Sequence, residues 1–291
     1  MKLAIKVDVD TYRGTRDGIP RLTALLKKHQ AGATFLFSLG PDHTGRAMRR
    51  IFRPGFFSKV HRTSVLQHYG VNTLLYGTLL PGPDIGKKCA DVLRATRDAG
   101  FEVGIHCWDH VRWQDHVSRR DADWTEREMA RAFSRFREIF GSDARTWGAA
   151  GWQTNRHAAW VQEQTCDYAS DTRGRGPFRP LWDGVAIGCP QFPTTLPTLD
   201  ELVGLHDDVV SRLLGLTEKP ADHVFTAHAE LEGGKLIGEF EALLAGWKRQ
   251  GYEMVSLREL YESADLAALP RHDVVYGEVP GRSGTLAMQG D

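Results

Sequence analysis

The sequence predicts an α/β protein built on a parallel sheet, closed as a barrel or left open. Three observations predict it. Strand-length apolar runs alternate with amphipathic segments of helix length, the alternation persists over most of the 291 residues, and no internal repeat or low-complexity tract interrupts it. That length suits one large domain or two small ones, either able to bury a sizeable core.

LAIKVDV (3–9) reads as the first buried strand. IPRLTALLKKHQ (19–30) follows as a helix with Ile19, Leu22, Leu25 and Leu26 on one side, and ATFLFSL (33–39) as an aromatic strand. A helix over about 86–98 precedes strand FEVGIH (101–106). A long charged helix then runs from roughly Thr125 to Phe140, with Thr125 as its N-cap and Glu126 and Glu128 where the helix dipole favours acids. RTWGAA, NRHAAWVQEQ and YASDT continue as strand, helix and strand. LDELVGLHDDVVSRLLGL, HVFTAHA, IGEFEALLAGWKRQ and YEMVS complete the alternation. The segment after Pro270 is rich in Gly and Pro and reads as loosely held.

Composition excludes several classes. Lysine plus arginine equals aspartate plus glutamate at 37 each, so the overall charge names no polyanionic partner. Cys89, Cys107, Cys166 and Cys189 are far apart and form no CxxC, against a disulfide framework or zinc knuckle and in keeping with a reducing compartment. The opening MKLAIKVDVD is too short and too soon charged for a signal peptide, and no run of 18 apolar residues is present.

One stretch breaks the pattern. Between His43 and Pro83 there is no acid, yet Arg46, Arg49, Arg50, Arg53, Lys59 and Arg62 are present, interleaved with Phe52, Phe56, Phe57, Tyr69 and Tyr76. It reads as an insertion between the second strand and the next helix. Cations among aromatics suit an anionic lipid surface, with Arg46, Arg49, Arg50, Arg53, Phe56 and Phe57 as docking candidates. Packing on the barrel and nucleic-acid binding are the weaker alternatives.

The chemistry gathers at strand ends. In a parallel α/β protein, sites form at the C-terminal ends of strands. Asp8 and Asp10 end the first strand two residues apart, hence on one side. His106 and His110, in GIHCWDH, are spaced to share one ion if they occupy a helical turn. Two histidines and one carboxylate leave a coordination position open, the mark of a catalytic site. Residue 107 is Cys, so this is no HExxH helix carrying its own base, and the spare aspartate is placed for that work. FTAHAE sets His228 and Glu230 at the same edge, giving a metal, a carboxylate base and a histidine acid suited to amide hydrolysis. Arg173, Arg175 and Arg179 in TRGRGPFR read either as bidentate contacts to a phosphate or as a solvated turn.

VDVD, ATFLF, HCWDH, DYASD and FTAH, in this order, resemble the polysaccharide deacetylase superfamily of NodB-type carbohydrate esterases over roughly residues 1–262. The resemblance implies a distorted NodB-like (β/α) barrel (1–262) carrying the membrane-facing insertion at about 41–85, followed by a tail (263–291). It implies Asp8 as base, Asp10, His106 and His110 as ligands of one divalent ion (zinc, manganese or cobalt), His228 as general acid and Asp171 as the carboxylate orienting it. Arg173, Arg175, Trp152 and Glu230 are the candidates for substrate contact. The arginine motif that braces the base in this superfamily is replaced by GAAGWQTN, leaving Arg145 or Arg173 as substitutes.

KVDVDTYRGTRDG, HCWDHVRWQDH, GAAGWQTN, SDTRG and FTAHAELEGG are similar to the branch that deformylates an undecaprenyl-phosphate-linked 4-formamido-arabinose for lipid A modification and polymyxin resistance. That branch implies a lipid-linked aminosugar substrate and a peripheral position on the cytoplasmic side of the bacterial inner membrane. It implies no nucleic-acid or protein partner. A deacetylase of another N-acylated sugar, or a metal-holding glycolipid-binding protein without turnover, is the alternative.

Overall fold

The structure, a computed structural model, describes residues 1–47, 73 and 75–291. Strands β1 (Lys2–Val9), β2 (Thr34–Ser38), β3 (Glu102–Cys107), β4 (Thr146–Trp147) and β5 (Tyr168–Ala169) lie side by side in parallel, with β8 (His223–His228) on the other edge of β1. A short β9 (Glu253–Val255) pairs with Lys2–Ala4, on the edge that β2 occupies from Lys6 onward. Between β5 and β8 no regular strand intervenes among the described residues. The segment 190–196 bridges them instead, through Ala169 N–H to the Pro190 carbonyl, Phe192 N–H to Ala169 and Thr195 N–H to Val224. The sheet therefore curls and closes irregularly, as a distorted barrel.

Alternation along the strands divides the interior. Leu3, Ile5, Val7 and Val9 of β1, Phe35 and Phe37 of β2, Ile105 of β3 and Phe225 and Ala227 of β8 form one buried apolar cluster with the helices. Each such side chain contributes about 1.5–3 kcal/mol by leaving water. The intervening positions face into the curl: Ala4, Lys6 and Asp8, then Leu36, Gly104 and His106, and Thr226 with His228. The same period thus builds the core and places the polar side chains opposite it.

The helices packed on the sheet are α1 (Ile19–His29), α2 (Ala90–Asp98), α3 (His110–His116), α4 (Ala122–Phe140) and α5 (Arg156–Thr165). The long helix starts earlier than the sequence suggested. Asp121 is its N-cap, accepting from Trp124 N–H at 2.9 Å, while Thr125 Oγ1 donates to the Asp121 carbonyl. The single helix expected over LDELVGLHDDVVSRLLGL is two, α6 (Leu199–Leu202) and α7 (Val209–Leu216). Thr198 and Glu201 form a capping box on the first, and Asp208 caps the second. Helices α8 (Ile237–Arg249) and α9 (Leu257–Ser263) follow, and a single turn, Ile85–Lys88, precedes α2.

The segment after Pro270, read as loosely held, is a hairpin. Its strands β10 (Arg271–Glu278) and β11 (Thr285–Gln289) join β6 (Arg179–Trp182) and β7 (Val185–Ala186) in a second sheet. Its Gly and Pro serve the turn, and its backbone is tied to the barrel by the Arg173–Ala287 and Gln289–Arg173 hydrogen bonds. The insertion leaves and returns at one point beyond β2, where Pro41 bridges Asp84 and Asp42 N–H donates to Pro83. Arg46 Nε donates to the Gly77 carbonyl at 3.0 Å, whereas Arg49, Arg50, Arg53, Phe56 and Phe57 lie outside the described residues.

Candidate active site

The end of β3 is where the ligand geometry is made. Register with β2 slips between Phe37 and Ser38, which pair with Ile105 and Cys107, so His106 is the extra residue of a bulge. A bulge re-aims the side chain it carries. His110 is the first residue of α3, behind the N-cap Asp109, so the two histidines straddle a strand-to-helix turn rather than sharing one helix. Their ring centroids are 5.4 Å apart.

His106 Nδ1 lies 2.6 Å from the Gly148 carbonyl. A carbonyl only accepts, so Nδ1 carries the proton and Nε2 turns a lone pair inward. Gly148 permits the approach, because a Cβ there would stand 2.4 Å from Leu36 Cδ1. Nε2 faces Asp10 Oδ1 at 3.2 Å, and His110 Nε2 faces Asp10 Oδ2 at 3.3 Å. Contacts this close are joined by a proton on the imidazole or by a metal ion, and two imidazoles with one carboxylate suit a divalent ion. Among the described residues this trio is the one metal-capable group, its donor atoms within 4.8 Å of one another. Burial works to raise the Asp10 carboxyl, but His110 and His106 outweigh it and hold it well below the usual range. Burial likewise works to lower His106, and Asp8 with Asp10 outweighs it and raises the imidazole.

Asp8 stands beside the trio, its Oδ1 3.8 Å from His106 Nδ1. Its buried partner is Lys6, two residues back on the same face, with Nζ 3.3 Å from Asp8 Oδ2 and 3.1 Å from the Ser170 carbonyl. Lys6 stands where a bracing arginine was expected. Arg145 instead pairs with Asp167 near the surface, and Arg173 pairs with Glu201. The signal for Lys6 was in plain view: a lysine in a buried strand, in phase with Asp8 and Asp10.

In the parallel register Asp8 pairs with His228, so base and acid candidates sit on neighbouring strands. His228 meets Trp152 edge-on at 6.2 Å. Its carboxylate neighbour is not Asp171. That side chain is fully enclosed elsewhere, its oxygens taken by Ala149 N–H at 2.8 Å and Gln162 Nε2 at 2.7 Å. Asp200 of α6 occupies the place, with Oδ1 3.6 Å from His228 Nδ1, within ion-pair reach though longer than a hydrogen bond. The sequence offered no cue to Asp200 beyond an acid in a helix's first turn.

The remaining candidates divide. Trp152 is a buried wall of the site, with Lys6, Arg173 and Arg282 within 5.4, 5.0 and 4.8 Å of its ring centroid. Glu230 holds the chain that carries Asp10, its Oε1 accepting from Asp10 N–H, Thr11 N–H and Thr11 Oγ1. Burial, with the Asp10 charge beside it, pushes Glu230 well above the ordinary glutamate range. Arg173 is buried and neutralised by both Glu201 oxygens, so it is not presented to a phosphate. Arg175 reaches the Gly290 carbonyl, and Arg179 the Gly188 and Leu266 carbonyls, so both are engaged with backbone carbonyls.

Comparison with known proteins gives this geometry its kin. The sequence profile described as polysaccharide deacetylase matches residues 4–166, more than half the chain. A probable 4-deoxy-4-formamido-L-arabinose-phosphoundecaprenol deformylase of Shewanella sediminis is 36% identical over 293 residues, covering 99% of this chain and 94% of the relative. A protein of Wigglesworthia glossinidia brevipalpis bearing the same name is 31% identical, covering 95% and 98%. Among solved structures, a putative polysaccharide deacetylase from Mycobacterium smegmatis superposes with a TM-score of 0.61 at 12% identity, covering 96% of this chain and 95% of that one. The likeness bears out the NodB-like barrel expected from the sequence.

Proposed function

The chain belongs to the polysaccharide deacetylase family, hydrolases of amide bonds, and on that premise we propose that it hydrolyses the formamide of undecaprenyl-phosphate-linked 4-deoxy-4-formamido-L-arabinose. The products are formate and the free aminosugar lipid, which in this reading serves lipid A modification and polymyxin resistance. The observation that carries the proposal is the convergence of Asp8, the Asp10–His106–His110 trio and His228 at one end of the sheet. The relatives' names supply the substrate.

A divalent ion on Asp10, His106 and His110, whether zinc, manganese or cobalt, would supply Lewis-acid chemistry beside the formyl oxygen. Asp8 takes the proton of the attacking water, its charge compensated and its position fixed by Lys6. The water's electron pair forms the bond to the formyl carbon. His228 then delivers a proton to the nitrogen as the C–N bond breaks and its pair returns there. An amine departs poorly without that proton, so an acid opposite the base is chemically required. Trp152 walls the site on the His228 side.

Docking on an anionic membrane surface is part of the proposal. Six cations without an acid between His43 and Pro83 support it, as does the insertion's opening at the site end of β2. No helix among the described residues is long and apolar enough to cross a membrane. We place the protein peripherally, on the cytoplasmic face of the inner membrane.

The test is product release from metal-supplemented protein, comparing the lipid-linked formamido sugar with N-acetylated sugars. Formate from the first, with little acetate from the second, is expected. Acetate without formate would make the chain a deacetylase of another N-acylated sugar. Metal binding with neither product would make it a glycolipid-binding protein.

A further inference from the structure

The turn of the C-terminal hairpin reaches the acid side of the site. Arg282 Nη1 lies 2.9 Å from Asp200 Oδ2, and its Nη2 donates to Asp200 Oδ1 at 3.0 Å and to Thr198 Oγ1 at 2.9 Å. Its Nε donates to Glu201 Oε1 at 2.8 Å, and its guanidinium carbon is 4.8 Å from the Trp152 ring centroid. The turn is made for this approach. Gly281 sits at φ +87°, and a Cβ there would meet the Glu201 carbonyl at 2.7 Å.

We infer that Arg282 is a positioning residue: its planar fork fixes the Asp200 carboxylate, which in turn orients the His228 imidazole, so the C-terminal hairpin completes the active site. The inference rests on the function proposed above. It adds a residue far outside the matched profile and remote in sequence from every strand-end motif.

Helix α6 is only four residues long and carries two adjacent acids toward the interior. Left alone, Asp200 and Glu201 would repel each other beside the buried Glu232, whose Oε2 accepts from His228 N–H. Arg282 spans both acids of α6, and Arg173 holds Glu201 from the other side. A lysine cannot reproduce that fork. Burial works to raise the Asp200 carboxyl, but Arg282, then His228 and Thr198, outweigh it and hold it below its ordinary value. The titratable and charged groups facing His228 are Asp200 from α6, with Arg282 behind it, Glu232 from its own loop and Asp10 from the end of β1.

The consequence falls on one step. With Nδ1 turned to Asp200, His228 gives the proton on Nε2 to the sugar nitrogen as the C–N bond breaks, and recovers a proton from solvent. A substrate whose leaving group needs no proton bypasses this step.

The experiment compares Arg282→Gln, Arg282→Lys and Asp200→Asn with wild type, all metal-loaded, on the lipid-linked formamide and on an aryl formate ester. The expected result is a loss of about tenfold to a hundredfold in kcat on the formamide for Arg282→Gln and Asp200→Asn, with a loss on the ester at least tenfold smaller. Arg282→Lys should recover part of the formamide activity. The ester assay shows in the same tube that the fold and metal site survive. Equal losses on both substrates, or full formamide activity in Arg282→Gln, would overturn the inference while the proposed function stands. Wild-type protein that hydrolyses the ester but releases no formate from the sugar would overturn the proposed function, and the inference with it.

Discussion

Replacing Lys6 with Met removes the cation from a buried pair while nearly keeping its volume. The side chains of Lys6 and Asp8 are 0% and 4% exposed, so water cannot take over the lost interaction. Removing one member of such a pair typically costs about 3–5 kcal/mol, because the other charge is stranded. At roughly 2–4 °C per kcal/mol for a large domain, the melting temperature should fall by roughly 6–20 °C. The variant also loses the contact that fixes the Asp8 carboxylate beside the His106 ring, so formate release should collapse beyond what unfolding explains. Lys6→Met combined with Asp8→Asn strands no charge and should recover about 2–4 kcal/mol of the loss, though no activity. Thermal melts and formate release on the two single variants and the double close the cycle. A single variant destabilised by less than about 1 kcal/mol, or a double variant no more stable than Lys6→Met, would refute the pairing.

Asp8→Asn should keep its metal and lose hydrolysis, whereas Asp10→Asn should bind metal more weakly; the reverse pattern in elemental analysis would exchange their roles. Glu232 is pushed by burial to about 8 from 4.5, so the folded chain keeps a proton that the unfolded chain releases. That contribution is whole below about pH 4.5 and is lost as pH rises to about 8, a decline on the order of 5 kcal/mol. Glu232→Gln should flatten it in melts taken across that window, and an unchanged slope would contradict the assignment. Replacing Arg46, Arg49, Arg50 and Arg53 with Gln should weaken sedimentation with anionic vesicles, at about 1 kcal/mol per cation and less in high salt, while sparing a short water-soluble substrate. Equal harm to lipid-linked and soluble substrates would assign the segment to folding instead.

What was legible in the sequence was what local period encodes. The buried strand around Asp8, the amphipathic face of Ile19–His29 and the strand-end positions of Asp10, His106 and His228 follow from side-chain direction alone. Sites in such sheets share one end, which brought the two aspartates and the histidines together, while the choice of Asp10 as the candidate ligand came from the family resemblance. The misses were tertiary. Asp171 matched a motif by sequence, yet Ala149 N–H and Gln162 take its oxygens, while Asp200 reaches His228 from a helix whose break at Val203–Asp208 no period announces. Arg173 looked available in a charged loop, but Glu201, 28 residues on, neutralises it. The hairpin's Gly and Pro suggested slack, and they make the turn that delivers Arg282. Lys6 alone was recoverable, since its phase with Asp8 was visible from the start.

The central claim is that one divalent ion on Asp10, His106 and His110 organises the chemistry between Asp8 and His228. Its most direct test is a metal titration of chelator-stripped protein, following bound metal and formate release on the same samples. The account predicts activity rising in proportion to occupancy and saturating at one ion per chain, with His106→Ala and His110→Ala each losing both signals. Full turnover in the stripped protein, or normal metal content in either histidine variant, would contradict it.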